Sequence, residues 1–188
     1  MKLFNDKVRI IRFEPAHHTV LVYKWYHSGD YEQFFGNLPI LTLDEIATIQ
    51  NLYLIVNVDN GDQVYGMYYV SQIRERDRNV HLDLMIDKNY HRLGIGLSSL
   101  KIMLYYLLNC MNMYKVKANI FDSNKSCQSL CEKIGYKFHG VQPKDVYLNG
   151  EFHDVRLYSI AKTPFNKMFK EEIESSWKEK SQVGDLSA

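Results

Sequence analysis

The stretch DKNYHRLGIGLSSL, Asp87–Leu100, joins HLDLMI, an apolar run with the alternation of a strand, to an apolar helical run. Gly94 and Gly96 stand one residue apart at the predicted start of that helix. The first N–H groups of a helix have no partners within it, and that end of the helix carries partial positive charge. Glycine has no Cβ, so a phosphate can approach such groups closely. Taken alone, the stretch fits a phosphate cradle and a plain turn equally well.

Two common phosphate-binding loops do not match this stretch. The dinucleotide fingerprint G-x-G-x-x-G requires a third glycine, and Ser99 occupies that position. A P-loop requires Gly-Lys-Ser/Thr, but Gly96 is followed by Leu97. The loop therefore belongs to another class of phosphate site, or it is a structural turn.

The patterns on either side predict an α/β (α+β) chain. Thr42 and Glu45 form the capping-box pattern of a short helix, and Asn60-Gly61 and Asn149-Gly150 are typical of hairpin turns. The predicted order of elements is β-α-α-β-β-β-α-β-α-β-β. Its middle is an antiparallel meander, unlike the repeated βαβ units of a parallel sheet.

The composition excludes several classes of protein. The net charge of +1 leaves no basic surface of the kind that binds nucleic acid. No apolar stretch reaches the roughly 20 residues of a membrane span, and MKLFNDKVRI is charged where a secretory signal would be apolar. Three cysteines without framework spacing are typical of a reducing compartment. We therefore expect a cytoplasmic protein that binds neither nucleic acid nor membrane.

Three ordered motifs give residues 7–161 a family resemblance. HRLGIG resembles the Q/R-x-x-G-x-G/A acetyl-coenzyme A signature of the GCN5-related N-acetyltransferase (GNAT) superfamily. One helix and one strand later, NKSCQSLCEKIGY is similar to that family's N-x-x-A-x-x-L-Y-x-K-x-G-F pattern. The closing stretch from Tyr136 to Ile160 resembles the ribosomal-protein and spermidine acetyltransferase branch.

The resemblance implies a fold and a co-substrate. The GNAT fold is a central mixed, mostly antiparallel sheet flanked by helices, and its fourth and fifth strands splay apart. The pantetheine arm of acetyl-CoA would lie in that gap, against backbone groups of Met85 and Ile86 and in contact with Asn124. The N–H groups of the glycine loop would hold the pyrophosphate. The loop residues are His91, Arg92, Leu93, Gly94, Ile95, Gly96 and Leu97.

Three residues are candidates for proton transfer. The attacking amine must lose a proton, and we predict His81 as the base, because imidazole titrates near neutral pH. Asp83 shares the strand face of His81 by alternation. Cys131 stands where many GNAT members carry a tyrosine that protonates the departing thiolate. A thiol is a short and weak donor, so an acid role and a packing role for Cys131 are both open. A structural role for His81 is open as well, and no spacing of His and Cys predicts a metal site.

The resemblance implies an acetyl-CoA-dependent N-acetyltransferase that transfers directly to a primary amine. The acceptor could be a protein N-terminus, a polyamine or another small amine. Recognition of that amine would fall to Trp25–Phe35 and Tyr147–Asp154. Acidic residues in or near these segments could attract a cationic amine; they are Asp30, Glu32, Asp145, Glu151 and Asp154.

Residues 162–188 lie outside the resemblance, so we expect a GNAT-like domain over 1–161 followed by a C-terminal extension. Phe165, Phe169, Ile173 and Trp177 form an apolar stripe, which predicts an amphipathic helix that frays from about Ser181. The helix of residues 163–180 could pack on its own domain, on a second copy or on a partner protein. With Cys131, it motivates an alternative function: a weak or inactive binding module that retains CoA binding.

Overall fold

The computed structural model describes residues 3–28 and 41–184, with side chains as far as Trp177. Within these residues, the strands form one sheet in the order β1-β2-β3-β4-β5-β7-β6. Only β4 and β5 are parallel neighbours, which confirms the mixed, mostly antiparallel sheet. The strands are Val8–Arg12 (β1), Leu52–Asn57 (β2), Val64–Arg74 (β3), Asn79–Ile86 (β4), Lys115–Phe121 (β5), Lys137–Leu148 (β6) and Glu151–Ala161 (β7).

The described helices begin and end at residues with the expected local chemistry. Pro15 occupies the first turn of α1, and Thr42 and Glu45 form the predicted capping box of α2. Gly135 ends α4 in the left-handed conformation, with φ 93°. The helices are Pro15–Tyr26 (α1), Leu43–Ala47 (α2), Ile95–Tyr105 (α3, continued by a π-turn over Tyr106–Cys110), Lys125–Ile134 (α4) and Lys162–Gly184 (α5).

The two faces of the sheet carry separate cores. α1 and α2 cover one face, where Trp25 and Ile46 pack against Met67 and Met85 of the central strands. α3, α4 and α5 cover the other face with a larger cluster. Because side chains alternate along a strand, β4 contributes to both cores and lies at the centre of the molecule.

The parallel pair β4 and β5 is joined only at its beginning. Pairing runs from Asn79↔Lys115 to His81↔Lys117 and then stops, while the rest of β5 pairs with β7 as far as Phe121. A gap therefore opens in the sheet beyond His81, which confirms the predicted splay of the fourth and fifth strands.

The C-terminal helix α5 packs on its own domain. Phe165 and Ile173 are buried in the larger core, and the Trp177 indole Nε1 donates to the carbonyl of Phe4 over 2.6 Å. The helical backbone continues to Gly184, beyond the point where the sequence predicted fraying. The predicted boundary after residue 161 coincides with the start of α5, but this helix shares the core of the preceding domain.

Candidate active site

The glycine turn presents the bare start of a helix to solvent. Beyond β4, a 3-10 turn over Lys88–Tyr90 leads to Arg92 and Gly94, both of which have positive φ, 63° and 79°. Gly94 is the N-cap residue of α3, and no side chain caps this helix. Its first N–H groups are consequently free to bind an anion, which the positive end of the helix dipole also favours.

A buried hydrogen-bond chain supports this turn from beneath. Ser99, which is fully buried, donates its hydroxyl to the carbonyl of Gly96 over 3.2 Å, and the Tyr68 hydroxyl lies 2.8 Å from Ser99 Oγ. A Cβ added to Gly96 would lie 3.5 Å from Leu130 Cδ2, an ordinary contact. The protein alone therefore does not require glycine at position 96, so the missing Cβ leaves room for a ligand.

A cavity of about 490 Å³ lies over the turn and reaches the start of α4. Cations line it: Arg92 on the turn and Lys125 on α4, while Lys7 Nζ lies 3.5 Å from the position of a Cβ on Gly94. No described Asp or Glu lines this cavity. The predicted cofactor residues that line it are Ile86, His91, Arg92, Gly94, Ile95, Gly96 and Asn124; Met85, Leu93 and Leu97 do not.

Within residues 3–28 and 41–184, the edge of β4 in the gap has backbone groups without strand partners. Asp87 N–H donates to the carbonyl of Tyr65, so in this register the polar groups of Met85 face β3, where its carbonyl lies against Gly66. Alternation then directs the polar groups of Leu84 and Ile86 into the gap. His91 Nε2 donates to the Ile86 carbonyl over 2.8 Å, which leaves the Ile86 N–H and both groups of Leu84.

A second cavity, of about 200 Å³, occupies the gap between β4 and β5. Two carboxyl side chains line it, Asp83 of β4 and Asp145 of β6, and no described Lys, Arg or His does. The two cavities share four lining residues and are therefore adjoining halves of one cleft. The shared residues are Leu84, Asn124, Cys127 and Leu130.

The two predicted base candidates lie in different environments. Burial raises the pKa of Asp83 to about 6, although a hydrogen bond with Ser71 acts in the opposite direction. His81 does not line the cleft, since it is paired with Lys117 at the last joined position of β4 and β5. Burial and then the charge of Lys117 lower the pKa of His81. The structure therefore places Asp83 in the cleft and His81 beside it.

Cys131 lines the acidic half of the cleft, but its thiol is hydrogen-bonded to another cysteine. It lies one turn from Cys127 on α4 and is 3% exposed. The hydrogen bond with Cys127 and then burial raise the pKa of Cys131, whereas the same bond lowers the pKa of Cys127.

A β-bulge brings Asp145 to the cleft. The register of β6 against β7 shifts between Gln142 and Val146, and Lys144 there has φ 52°. The Lys144 N–H donates to the carboxylate of Asp154 over 2.8 Å, so Asp154 stabilises the bulge and does not line either cavity. Glu151 also lies outside both. Asp30 and Glu32 lie outside the described residues.

Sequence reasoning missed Lys125 and Tyr136, which line the cavities, and Lys7, whose Nζ lies close to Gly94. Lys125 directly follows Asn124, and the Asn124 side chain caps α4 by accepting the N–H of Cys127 over 3.1 Å. A cation at the start of a helix opposes the helix dipole, and that mismatch was the available signal. Lys7 and Tyr136 carry no local signal, because only tertiary structure places them.

A family model of an acetyltransferase (GNAT) domain matches residues 7–137. The chain belongs to the GNAT acetyltransferase family. The resemblance to this family is confirmed. None of the helices among the described residues is long and apolar enough to cross a membrane.

Individual GNAT proteins resemble this chain at low identity. The probable N-acetyltransferase YjcK of Bacillus subtilis strain 168 is 22% identical over 102 residues, which cover 54% of this chain and only 56% of that protein. The structure of spermidine N-acetyltransferase from Vibrio cholerae with CoA and spermine has a TM-score of 0.78 and 15% identity, covering 86% of this chain and 99% of that one. A GNAT-family acetyltransferase from Bacillus anthracis has a TM-score of 0.73 at 15% identity, covering 86% and 99%. These structures confirm the GNAT fold.

Proposed function

We propose that this GNAT protein is an N-acetyltransferase that moves an acetyl group from acetyl-CoA to a cationic primary amine. The observation that carries the proposal is the division of one cleft into a basic half and an acidic half. The phosphates of acetyl-CoA are anions, and an unreacted primary amine is a cation at neutral pH. Each half therefore has the charge that attracts one of the two substrates.

The basic half fits the phosphate end of acetyl-CoA, which supplies an activated acetyl group as a thioester. The uncapped N–H groups at the start of α3 bind the pyrophosphate, and Gly96 keeps the approach to them open. Arg92, Lys125 and Lys7 add positive charge around the same turn. The unpaired backbone groups of Leu84 and Ile86 bind the pantetheine amides along the edge of β4.

The acidic half fits the amine and its deprotonation. Asp83 accepts the proton of the amine, since a carboxyl group with a pKa of about 6 is mostly ionised at pH 7 yet more basic than an ordinary aspartate. An N–H at the β4 edge, from Leu84 or Ile86, polarises the thioester carbonyl, and the amine then attacks directly. We propose Asp83 as the base in preference to His81, because only Asp83 lines the cleft.

We further propose a polyamine as the acceptor. Asp83 and Asp145 both face the acidic half, so an acceptor with at least two positive charges can neutralise both carboxylates. A protein N-terminus offers one positive charge at that position. The spermidine N-acetyltransferase among the structural neighbours agrees with this acceptor class.

Two observations suggested a binding module as the alternative function, and the packing of α5 explains one of them. The apolar stripe of α5 is occupied by the core of its own domain, with Phe165 and Ile173 buried and Trp177 bonded to Phe4. This packing offers no support for the predicted contact of residues 163–180 with a second copy or a partner. The other observation, Cys131 at the position where many GNAT members carry a tyrosine, still favours this alternative.

A turnover experiment tests the proposal. The purified protein is incubated with acetyl-CoA and, separately, with spermidine, butylamine or a peptide with a free N-terminus. Release of CoA thiol is followed, and products are identified by mass spectrometry. We expect monoacetylated spermidine as the main product, less product from butylamine and least from the peptide. Binding of CoA without acetylation of any amine would favour the module, and preference for the peptide would overturn the polyamine class.

A further inference from the structure

The acidic half of the cleft contains a phenol that the mechanism above does not use. Tyr136 lines this cavity, and its side chain is only 5% exposed. Within the described part of the chain, its hydroxyl has no hydrogen-bond partner. The hydroxyl is not among the described buried polar atoms that lack a partner, so it borders the open cavity, where a ligand can accept its hydrogen bond.

The backbone places Tyr136 at the end of the helix that carries the two cleft cysteines. Gly135 reverses the chain after α4, and the Tyr136 N–H donates to the carbonyl of Cys131 over 2.9 Å. The phenol consequently reaches the cleft from the far end of α4. Its electrostatic neighbours include Cys131, Cys127 and Asp83, which all line the same cavity.

We propose that the Tyr136 hydroxyl is the proton donor to the departing CoA thiolate, in place of any side chain at position 131. This assignment rests on the proposed acetyl transfer. Cys131 is poorly suited, because a thiol is a weak donor and this one shares a hydrogen bond with Cys127. An O–H is a stronger hydrogen-bond donor than an S–H, and the Tyr136 hydroxyl has no competing partner among the described residues.

The protons and electrons of the transfer balance. The cationic amine first releases one proton to solvent, and Asp83 takes a second proton from the neutral amine as the new C–N bond forms. The C–S bond then breaks, its electron pair stays on sulfur, and the sulfur takes the proton of Tyr136. The proton held by Asp83 returns to the phenolate oxygen through solvent in the cleft. The net products are an amide, the CoA thiol and one proton released to solvent, and both side chains are restored.

Two measurements on Tyr136→Phe test this assignment. The first is kcat for acetyl transfer from acetyl-CoA to spermidine, which we expect to fall roughly a hundredfold, as loss of a general acid predicts. The second needs no acceptor: the affinities for free CoA and for desulfo-CoA are compared at pH 9, where much of the thiol is ionised. We expect the wild type to bind CoA about tenfold more tightly than desulfo-CoA, and Tyr136→Phe to lose that preference.

Matched variants separate a chemical role from a structural one. Tyr158→Phe removes another buried tyrosine hydroxyl, which is bonded to Glu132 and lines neither cavity, so both measurements should stay at wild-type values. Cys131→Ala should retain the CoA preference. A Tyr136→Phe variant that keeps the wild-type kcat and the wild-type preference for CoA over desulfo-CoA would overturn this assignment but not the proposed function. Loss of that preference in Cys131→Ala, but not in Tyr136→Phe, would also overturn the assignment. Absence of turnover in the wild type would overturn the proposed function as well.

Discussion

The two halves of the cleft are built in opposite ways. The basic half depends mostly on the backbone of one contiguous stretch, from Ile86 to Gly96, and on the N-terminal end of α3. The acidic half depends on side chains from separate elements, with Asp83 on β4, Asp145 on β6 and Tyr136 after α4. Binding of a phosphate therefore follows from local backbone geometry, whereas deprotonation and amine selection follow from tertiary packing.

Substitution of Asp83 should have the largest effect and should affect the acidic half alone. Asp83→Asn keeps the size of the side chain but removes the base, so we expect kcat with spermidine to fall by a factor on the order of 100 or more. The Kd for CoA, measured by calorimetry, should stay within about twofold, because CoA binding uses the basic half. A parallel loss of CoA affinity would show that the two halves are not independent.

The pH dependence of the rate distinguishes Asp83 from His81. A base acts only when it is deprotonated, so kcat/KM should be constant above neutral pH and fall as the pH drops through about 6, the pKa of Asp83. Asp83→Asn should abolish this limb, whereas His81→Gln should retain it. Loss of the limb in His81→Gln would instead assign the base to His81.

Gly96→Ala should separate ligand binding from stability in the basic half. An alanine Cβ meets only an ordinary contact with Leu130, and alanine favours the helix by roughly 0.5–1 kcal/mol, so the free energy of unfolding should be unchanged or higher. The same methyl group would intrude on a bound pyrophosphate, and we expect the Kd for CoA to rise about tenfold.

Ser98→Ala is a matched control on the same first turn, since Ser98 lines neither half of the cleft. Thermal unfolding and calorimetry on both variants check this prediction. Equal Kd values for Gly96→Ala and the wild type would contradict the assignment of this turn to the pyrophosphate.

Asp145→Asn should have a smaller effect, on amine selection only. Asp145 is exposed at the cleft, so solvent screens its charge, and we expect the KM for spermidine to rise about fivefold with little change in kcat. Butylamine, with one charge, should show a weaker effect. Glu151→Gln on the same hairpin is the control. An equal rise in KM in this variant would show that the effect comes from general surface charge and not from the position of Asp145 in the cleft.

The difference between the halves also explains how much the sequence could predict. The order of strands and helices and the glycine turn follow from patterns within a few residues, and the splay of the fourth and fifth strands follows from the resemblance that the ordered motifs carry. The choice between His81 and Asp83 depends on where β4 and β5 separate, which one residue pair decides. The apolar stripe of α5 predicted that this face of the helix is buried, but only the structure shows that it packs into the core of its own domain.

Lys125→Ala should have the smallest effect, and it tests whether side-chain charge adds to the backbone in the basic half. Lys125 is exposed and forms a surface ion pair with Asp122 at 3.3 Å, so its removal should change stability by only a few tenths of a kcal/mol. Its charge opposes the dipole of α4, which offsets part of that loss. We expect the Kd for CoA to rise about threefold at low salt and to approach the wild-type value at 0.5 M salt, because exposed charges are screened there. Lys133→Ala, at the far end of α4, removes the same charge outside the cleft. An equal response in Lys133→Ala would mean that the backbone alone distinguishes the basic half from the rest of the surface.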